Sequence, residues 1–67
     1  MGDYEGYVEF EGIECNWDSE KAILVNIYGD DVWIPKWAIH DDSETYKKGT
    51  SGNLIITEKM AIEKELV

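Results

Sequence analysis

The chain has 67 residues, room for one domain and one core and too little for a second. Fifteen acidic residues stand against six lysines and no arginine, a net charge of −9 that argues against direct binding to phosphate backbones. A lone cysteine, Cys15, excludes an intrachain disulfide, and one sulfur cannot build a thiol redox pair or a zinc site, so a reducing compartment is the default.

In YVEFEGIE, Val8 and Phe10 fall on one side and Tyr7, Glu9 and Glu11 on the other, the period-2 signature of a half-buried strand. After Gly12 the apolar parity switches to Ile13, Cys15 and Trp17. A glycine at such a switch predicts a bulge that returns the following side chains to the core. NWDSE then closes the segment with turn formers. EKAILVNIY predicts a second strand with Ile23, Val25 and Ile27 on one face and Ala22, Leu24 and Tyr28 on the other. Being apolar on both faces, it belongs in the middle of a sheet. Gly29-Asp30-Asp31 is read as its turn and Val32-Trp33-Ile34 as the returning strand, which Pro35 ends because proline has no N–H for the ladder. Within this hairpin Trp33 is expected to be largely buried, whereas Trp37, past the proline, is expected to be partly exposed.

Lys36-Trp37-Ala38-Ile39 is too short for an α-helix and predicts one tight or 3₁₀ turn leading into a short strand. A charged loop follows, then glycine-rich KKGTSGN, a buried strand at Leu54-Ile55-Ile56, and a helix capped by Thr57 with Glu58 in its first turn. Ile62 and Leu66, four apart, are expected to form its apolar stripe, with Met60 and Val67 nearby.

Five short strands and a terminal helix predict a mainly β fold, a small bent antiparallel sheet or a partly open barrel of SH3-like or OB-like kind. The whole chain, 1–67, forms one domain: an acidic N-terminal strand segment at 1–18, a β-hairpin core at 19–56 and the C-terminal helix at 57–67. No basic leader followed by an apolar run, and no apolar run long enough to span a bilayer, is present, so a cytoplasmic protein without a membrane partner is expected.

No catalytic constellation stands out. The single histidine, His40, lies among Asp41, Asp42 and Glu44 without a recognisable nucleophile, and no glycine-rich phosphate loop is present. The same four residues could offer ligands to a hard cation, but their spacing matches no calcium loop and suits a solvated turn. The expectation is a protein that is not an enzyme, with no metal and no cofactor.

Charge is distributed unevenly: residues 1–20 carry seven acids and no base, whereas residues 45–67 carry three acids and four lysines. Along the first strand Glu5, Tyr7, Glu9 and Glu11 share a face at intervals of about 6.7 Å, near the spacing of successive phosphates. Continued by Glu14 and Asp18, such an array would imitate a nucleic-acid backbone in a basic groove. The candidate partner-binding residues are therefore Glu5, Tyr7, Glu9, Glu11, Glu14 and Asp18, with Trp37 as a second aromatic anchor. The partner expected is a basic host protein.

KAILV, GDDVWIPKWAI and SETYKKGTSGNLIITEKMAIEKEL together resemble a group of short, uncharacterised proteins encoded by phages and mobile elements. Their shared pattern is an EKA-x-x-V strand, a W-[IL]-P-K-S-x-I turn, a K-x-G-x-x-G-x-L strand entry and an A-x-E-K-x-L helix. The resemblance covers about residues 19–67 and is most specific at Trp33, Ile34, Pro35, Lys36 and Ile39. It implies a compact β-rich accessory protein, in the host cytoplasm if phage-encoded, and brings no catalytic residues. Trp37 stands where that pattern has a small polar residue.

These readings converge on a small acidic accessory protein that binds a protein, as a nucleic-acid-mimicking inhibitor of a host nucleic-acid-binding defence enzyme such as a restriction or CRISPR effector. One alternative is a small nucleic-acid-associated barrel of a replication or recombination module, using Trp33, Lys36, Trp37, Lys47 and Lys48. Another is a self-associating structural protein, dimerising through an edge near Ile55 or the N-terminal strand.

Overall fold

The computed structural model describes residues 5–67. Four antiparallel strands, β1 (Tyr7–Asp18), β2 (Ala22–Ile27), β3 (Asp30–Pro35) and β4 (Ser51–Thr57), form one sheet in the order β3-β2-β1-β4. A 3₁₀ turn (Lys36–Ala38) follows β3, and helix α1 (Glu58–Glu63) follows β4.

The parity switch in the first strand is structural. Phe10 pairs with Leu54 and Ile13 with Gly52, so Glu11 and Gly12 together oppose one residue of β4. Gly12 has φ +70°, a left-handed conformation costly for a residue with a Cβ, and the bulge turns Ile13 and Cys15 into the core beside Phe10. A second irregularity lies between Cys15 and Trp17. It reverses the parity once more, so Trp17 points outward at 52% exposure rather than into the core as its spacing from Cys15 suggested.

The β2–β3 hairpin turns at Tyr28 and Gly29, both with positive φ, one position earlier than the acidic pair suggested; Asp30 and Asp31 belong to β3. Two positive φ values in a two-residue loop match the right-handed twist of the flanking strands. β2 is an interior strand with Ile23, Val25 and Ile27 buried, as its two apolar faces predicted. Ile34 is fully buried, and alternation therefore sends Trp33 to the opposite face, where it is 44% exposed. The expectation that Trp33 is largely buried is corrected: a hairpin strand in a one-layer sheet has one wet face, and the tryptophan is on it.

The expected fifth strand shrinks to a single bridge, Ile39 with Ile56. That bridge dictates the shape. The chain leaves β3 at Pro35 and pairs with the outer side of β4 four residues later, whereas a flat sheet would separate those positions by four strand spacings, about 19 Å. Four fully extended residues reach at most about 14 Å, and these are wound into a 3₁₀ turn, so the sheet must curl into a partly open barrel.

The curled sheet encloses Phe10, Ile13, Cys15, Ile23, Val25, Ile27, Ile34, Leu54 and Ile56, with Ala38 below the 3₁₀ turn and Met60 and Ala61 from α1 as the lid. Each fully buried isoleucine or leucine contributes roughly 1.5–3 kcal/mol, which makes this cluster the main support of so short a chain. Thr57 caps α1 by accepting from the Met60 N–H. The helix ends at Glu63, and its inward residues are Met60 and Ala61; Ile62 is 57% exposed and does not form the stripe expected with Leu66, although Leu66 packs against the core. The early stop, with Glu65 at φ 61°, rotates the last residues away from the helical period.

Candidate functional site

The outer face of the sheet carries the residues with interaction chemistry, and register places them in rows. Glu14 lies opposite Asn26, and Asn26 opposite Asp31, whose Oδ1 accepts from the Asn26 side-chain amide at 3.0 Å. One step toward the other end of the sheet, Trp17 lies opposite Leu24 and Leu24 opposite Trp33. Beyond it come Ala22 and Pro35, also paired. Strands sit about 4.8 Å apart, so Trp17 and Trp33 flank Leu24 across about 10 Å.

Of the acidic array, β1 delivers Glu9, Glu11 and Glu14, all exposed, and the Gly12 bulge keeps Glu14 on the face that Glu9 occupies. Glu9 Oε2 accepts from the Asn53 side-chain amide at 2.6 Å. Among the described residues no lysine forms an ion pair with Glu9, Glu11, Glu14 or Asp31. Glu5 is exposed in the turn before β1 and lies outside the strand. Asp18 pairs with Ile23, which points to the core side, so the second irregularity takes it out of the array. Tyr7 meets the His40 ring edge-on with centroids 4.9 Å apart, and is thereby tied to the segment after the 3₁₀ turn. Trp37, on that turn, is 73% exposed and sits on the connection that runs from β3 to the outer side of β4. The expected site is thus divided between elements: Glu9, Glu11 and Glu14 lie on β1, and Trp37 lies on the connection between the two edges of the sheet.

Two of the four lysines of residues 45–67 lie against aromatic rings. Lys48 places its Nζ 4.2 Å from the centre of the Trp17 ring, and its N–H donates to Asp18. Lys47 lies over Tyr46. In the loop, His40 Nδ1 accepts from the Asp42 backbone N–H, and Glu44 Oε1 reaches β4 to accept from the Asn53 N–H. Among the described residues, no three histidine, cysteine or acidic side chains come together as ligands, and no helix is long and apolar enough to cross a membrane.

Of the two edges named for self-association, the outer edge of β4 is occupied by residues 40–45: the His40 N–H and the Ser43 hydroxyl donate to the Ile55 carbonyl, and the Glu44 N–H to that of Asn53. The N-terminal half of β1 is laddered on its β4 side, and β2 pairs with β1 only over Glu14–Asp18. The β3 edge carries Asp30, Asp31 and Pro35, residue types that discourage strand addition. The chain matches no known family model, no curated protein sequence and no solved structure.

Trp17 and Leu24 were not foreseen as surface residues. Leu24 could have been read from its opposite parity to Ile23 and Val25, and Trp33 from its opposite parity to Ile34. Trp17 could not, because nothing in CNWD marks Asn16 as the residue that breaks the register.

Proposed function

We propose that the protein is a small acidic accessory protein of a phage or mobile element that acts without catalysis by occupying the basic groove of a nucleic-acid-binding defence enzyme. The observation that carries this reading is the line of exposed carboxylates on one strand, Glu9, Glu11 and Glu14, extended across the sheet by Asp31. The net charge of −9 adds long-range attraction to a basic partner and repels nucleic acid itself. Exposed charges of this kind are screened by salt, so affinity should fall as salt rises.

The test is a binding titration against purified restriction and CRISPR effectors, at low and high salt, with duplex DNA as competitor. The reading expects salt-sensitive binding that DNA displaces, weakened about tenfold or more in a Glu9→Gln/Glu11→Gln/Glu14→Gln variant. Binding that neither DNA nor salt affects argues against mimicry. A gel shift of single-stranded DNA at physiological salt would favour the nucleic-acid-associated alternative.

A further inference from the structure

The outer face of a one-layer sheet is ordinarily polar, yet here two half-exposed indoles and a half-buried leucine form a continuous row across three strands. Contiguous apolar surface rimmed by polar groups marks a binding site more often than scattered apolar residues do. Tryptophan is also the residue type most enriched among those that dominate protein interfaces. The bordering row is Glu14, Asn26 and Asp31, so the apolar row is flanked by carboxylate.

The chain itself shows what such a ring accepts. Lys48 rests its ammonium on the Trp17 face at 4.2 Å, the geometry of a cation–π contact. Among the described residues no cation covers Trp33. Asp31 lies two residues before it on the same face of β3, about 6.7 Å along the strand. The Asn26 amide holds Asp31 through Oδ1, which fixes the carboxylate and leaves Oδ2 for another donor.

We propose that the Trp17–Leu24–Trp33 row docks a segment of the partner protein in which an arginine or lysine adjoins an apolar side chain, the cation lying on Trp33 beside Asp31 and the apolar group covering Leu24. The inference rests on the proposed function and deepens it, by naming the chemistry the partner must present. Charge complementarity selects this occupant. A second copy docked face to face would set two rows of Glu14 and Asp31 against each other in molecules that each carry −9, and a nucleic acid would bring phosphates to the same carboxylates.

The experiment follows the indole N–H resonances of the full chain while a synthetic peptide alternating arginine and leucine is added. The same peptide with glutamate for arginine, and a thymidine oligonucleotide, serve as controls. The Trp33 resonance should shift saturably with the arginine peptide alone, and that of Trp37 should stay in place. Trp33→Ala should lower affinity about tenfold or more in a protein that still melts cooperatively, a few degrees below the parent. Trp33→Leu, which keeps apolar bulk and loses the ring, should weaken binding as well, separating cation recognition from packing. Asp31→Asn should weaken it several-fold.

Unchanged affinity in both Trp33 variants, or no binding of the peptide, overturns the inference. So does a Trp33 shift with the oligonucleotide, or one that grows with protein concentration alone. If the triple glutamine variant of β1 loses peptide binding while the Trp33 variants keep it, the acidic-strand reading stands and this one falls. Peptide binding that needs Trp33 in a protein that ignores every defence enzyme tested would keep the docking row and remove the inhibitor reading.

Discussion

Ser43 binds both backbone groups of Ile55: its hydroxyl donates to the Ile55 carbonyl at 3.1 Å and accepts from the Ile55 N–H at 2.9 Å. One side chain thus supplies the pair of bonds that a neighbouring strand would otherwise make, and Ser43 and Ile55 are both buried. Together with Ile39, His40 and Glu44 it closes the outer edge of β4 without a fifth strand.

Ser43→Ala should therefore do more than remove a hydroxyl. It leaves a buried N–H without a partner, at a cost of about 1–3 kcal/mol. In a domain of this size each kcal/mol lowers the melting temperature by roughly 4–8 °C. It also frees an edge that can pair with another chain. Thermal melts should show the loss of stability, and sedimentation should show self-association at concentrations where the parent does not associate. A variant with the parent's melt would mean that water or the remaining loop bonds satisfy Ile55 without Ser43.

Adjacent residues on β3 should respond to truncation in opposite ways. Ile34 is fully buried against the sheet interior, and Ile34→Ala should cost about 2–5 kcal/mol. Trp33 is larger, but its contribution to folding is an outer-face contact with Leu24, so Trp33→Ala should cost about 1 kcal/mol. Denaturant midpoints of the two variants decide the order. A Trp33 variant less stable than the Ile34 variant would place the tryptophan in the core after all.

Alternation alone made the faces of β2 legible, and the parity change at Gly12 made its bulge legible, because a glycine stands where the pattern breaks. The 3₁₀ turn and the Thr57 cap followed from Pro35 and from the short polar residue before Glu58. The second bulge carries no such mark, so Trp17 was assigned to the wrong face, and Asp18 was joined to an array it does not enter. A place inside the hairpin does not bury Trp33, because the parity fixed by its neighbour Ile34 sends it to the outer face. The closing of the β4 edge could not be read, because Ser43 and Glu44 act there through side chains that reach another element, and turn chemistry gives the same residues a local role.

The buried Cys15 thiol donates to the Trp17 carbonyl, and burial pushes its pKa above the ordinary thiol value. The native protein therefore holds this proton more tightly than the unfolded chain does. Its contribution to stability is complete below the unfolded thiol pKa and is lost as pH rises from there through the higher native value. Two measurements follow. Iodoacetamide should label native protein far more slowly than denatured protein, and Cys15→Ala should remove part of the decline in melting temperature on the alkaline side. Equal labelling rates in native and denatured protein would contradict the burial.

Gly52 combines a backbone and a steric requirement, and the part of the second that comes from the Glu44 carboxylate can be isolated. Its φ is +132°, and a Cβ there would meet the Glu44 carboxylate oxygen Oε1 and the Glu44 Cβ, the latter at 2.9 Å. Oε1 is the atom that accepts from the Asn53 N–H, so Gly52→Ala must both strain the backbone and displace a hydrogen bond on the β4 edge. Strain of this kind costs about 1–3 kcal/mol, and the lost bond about 1 kcal/mol more. Gly12→Ala meets open space at φ +70° and should cost only the strain. Glu44→Ala removes the carboxylate in advance, so Gly52→Ala made in that background should cost less than it does in the parent, by about the 1 kcal/mol assigned to the bond. Urea melts of the two single variants and the double variant measure this coupling directly. Strictly additive losses would mean that the Glu44 carboxylate moves aside without cost, and that the glycine is required by its backbone conformation and by the Glu44 Cβ, which Glu44→Ala retains.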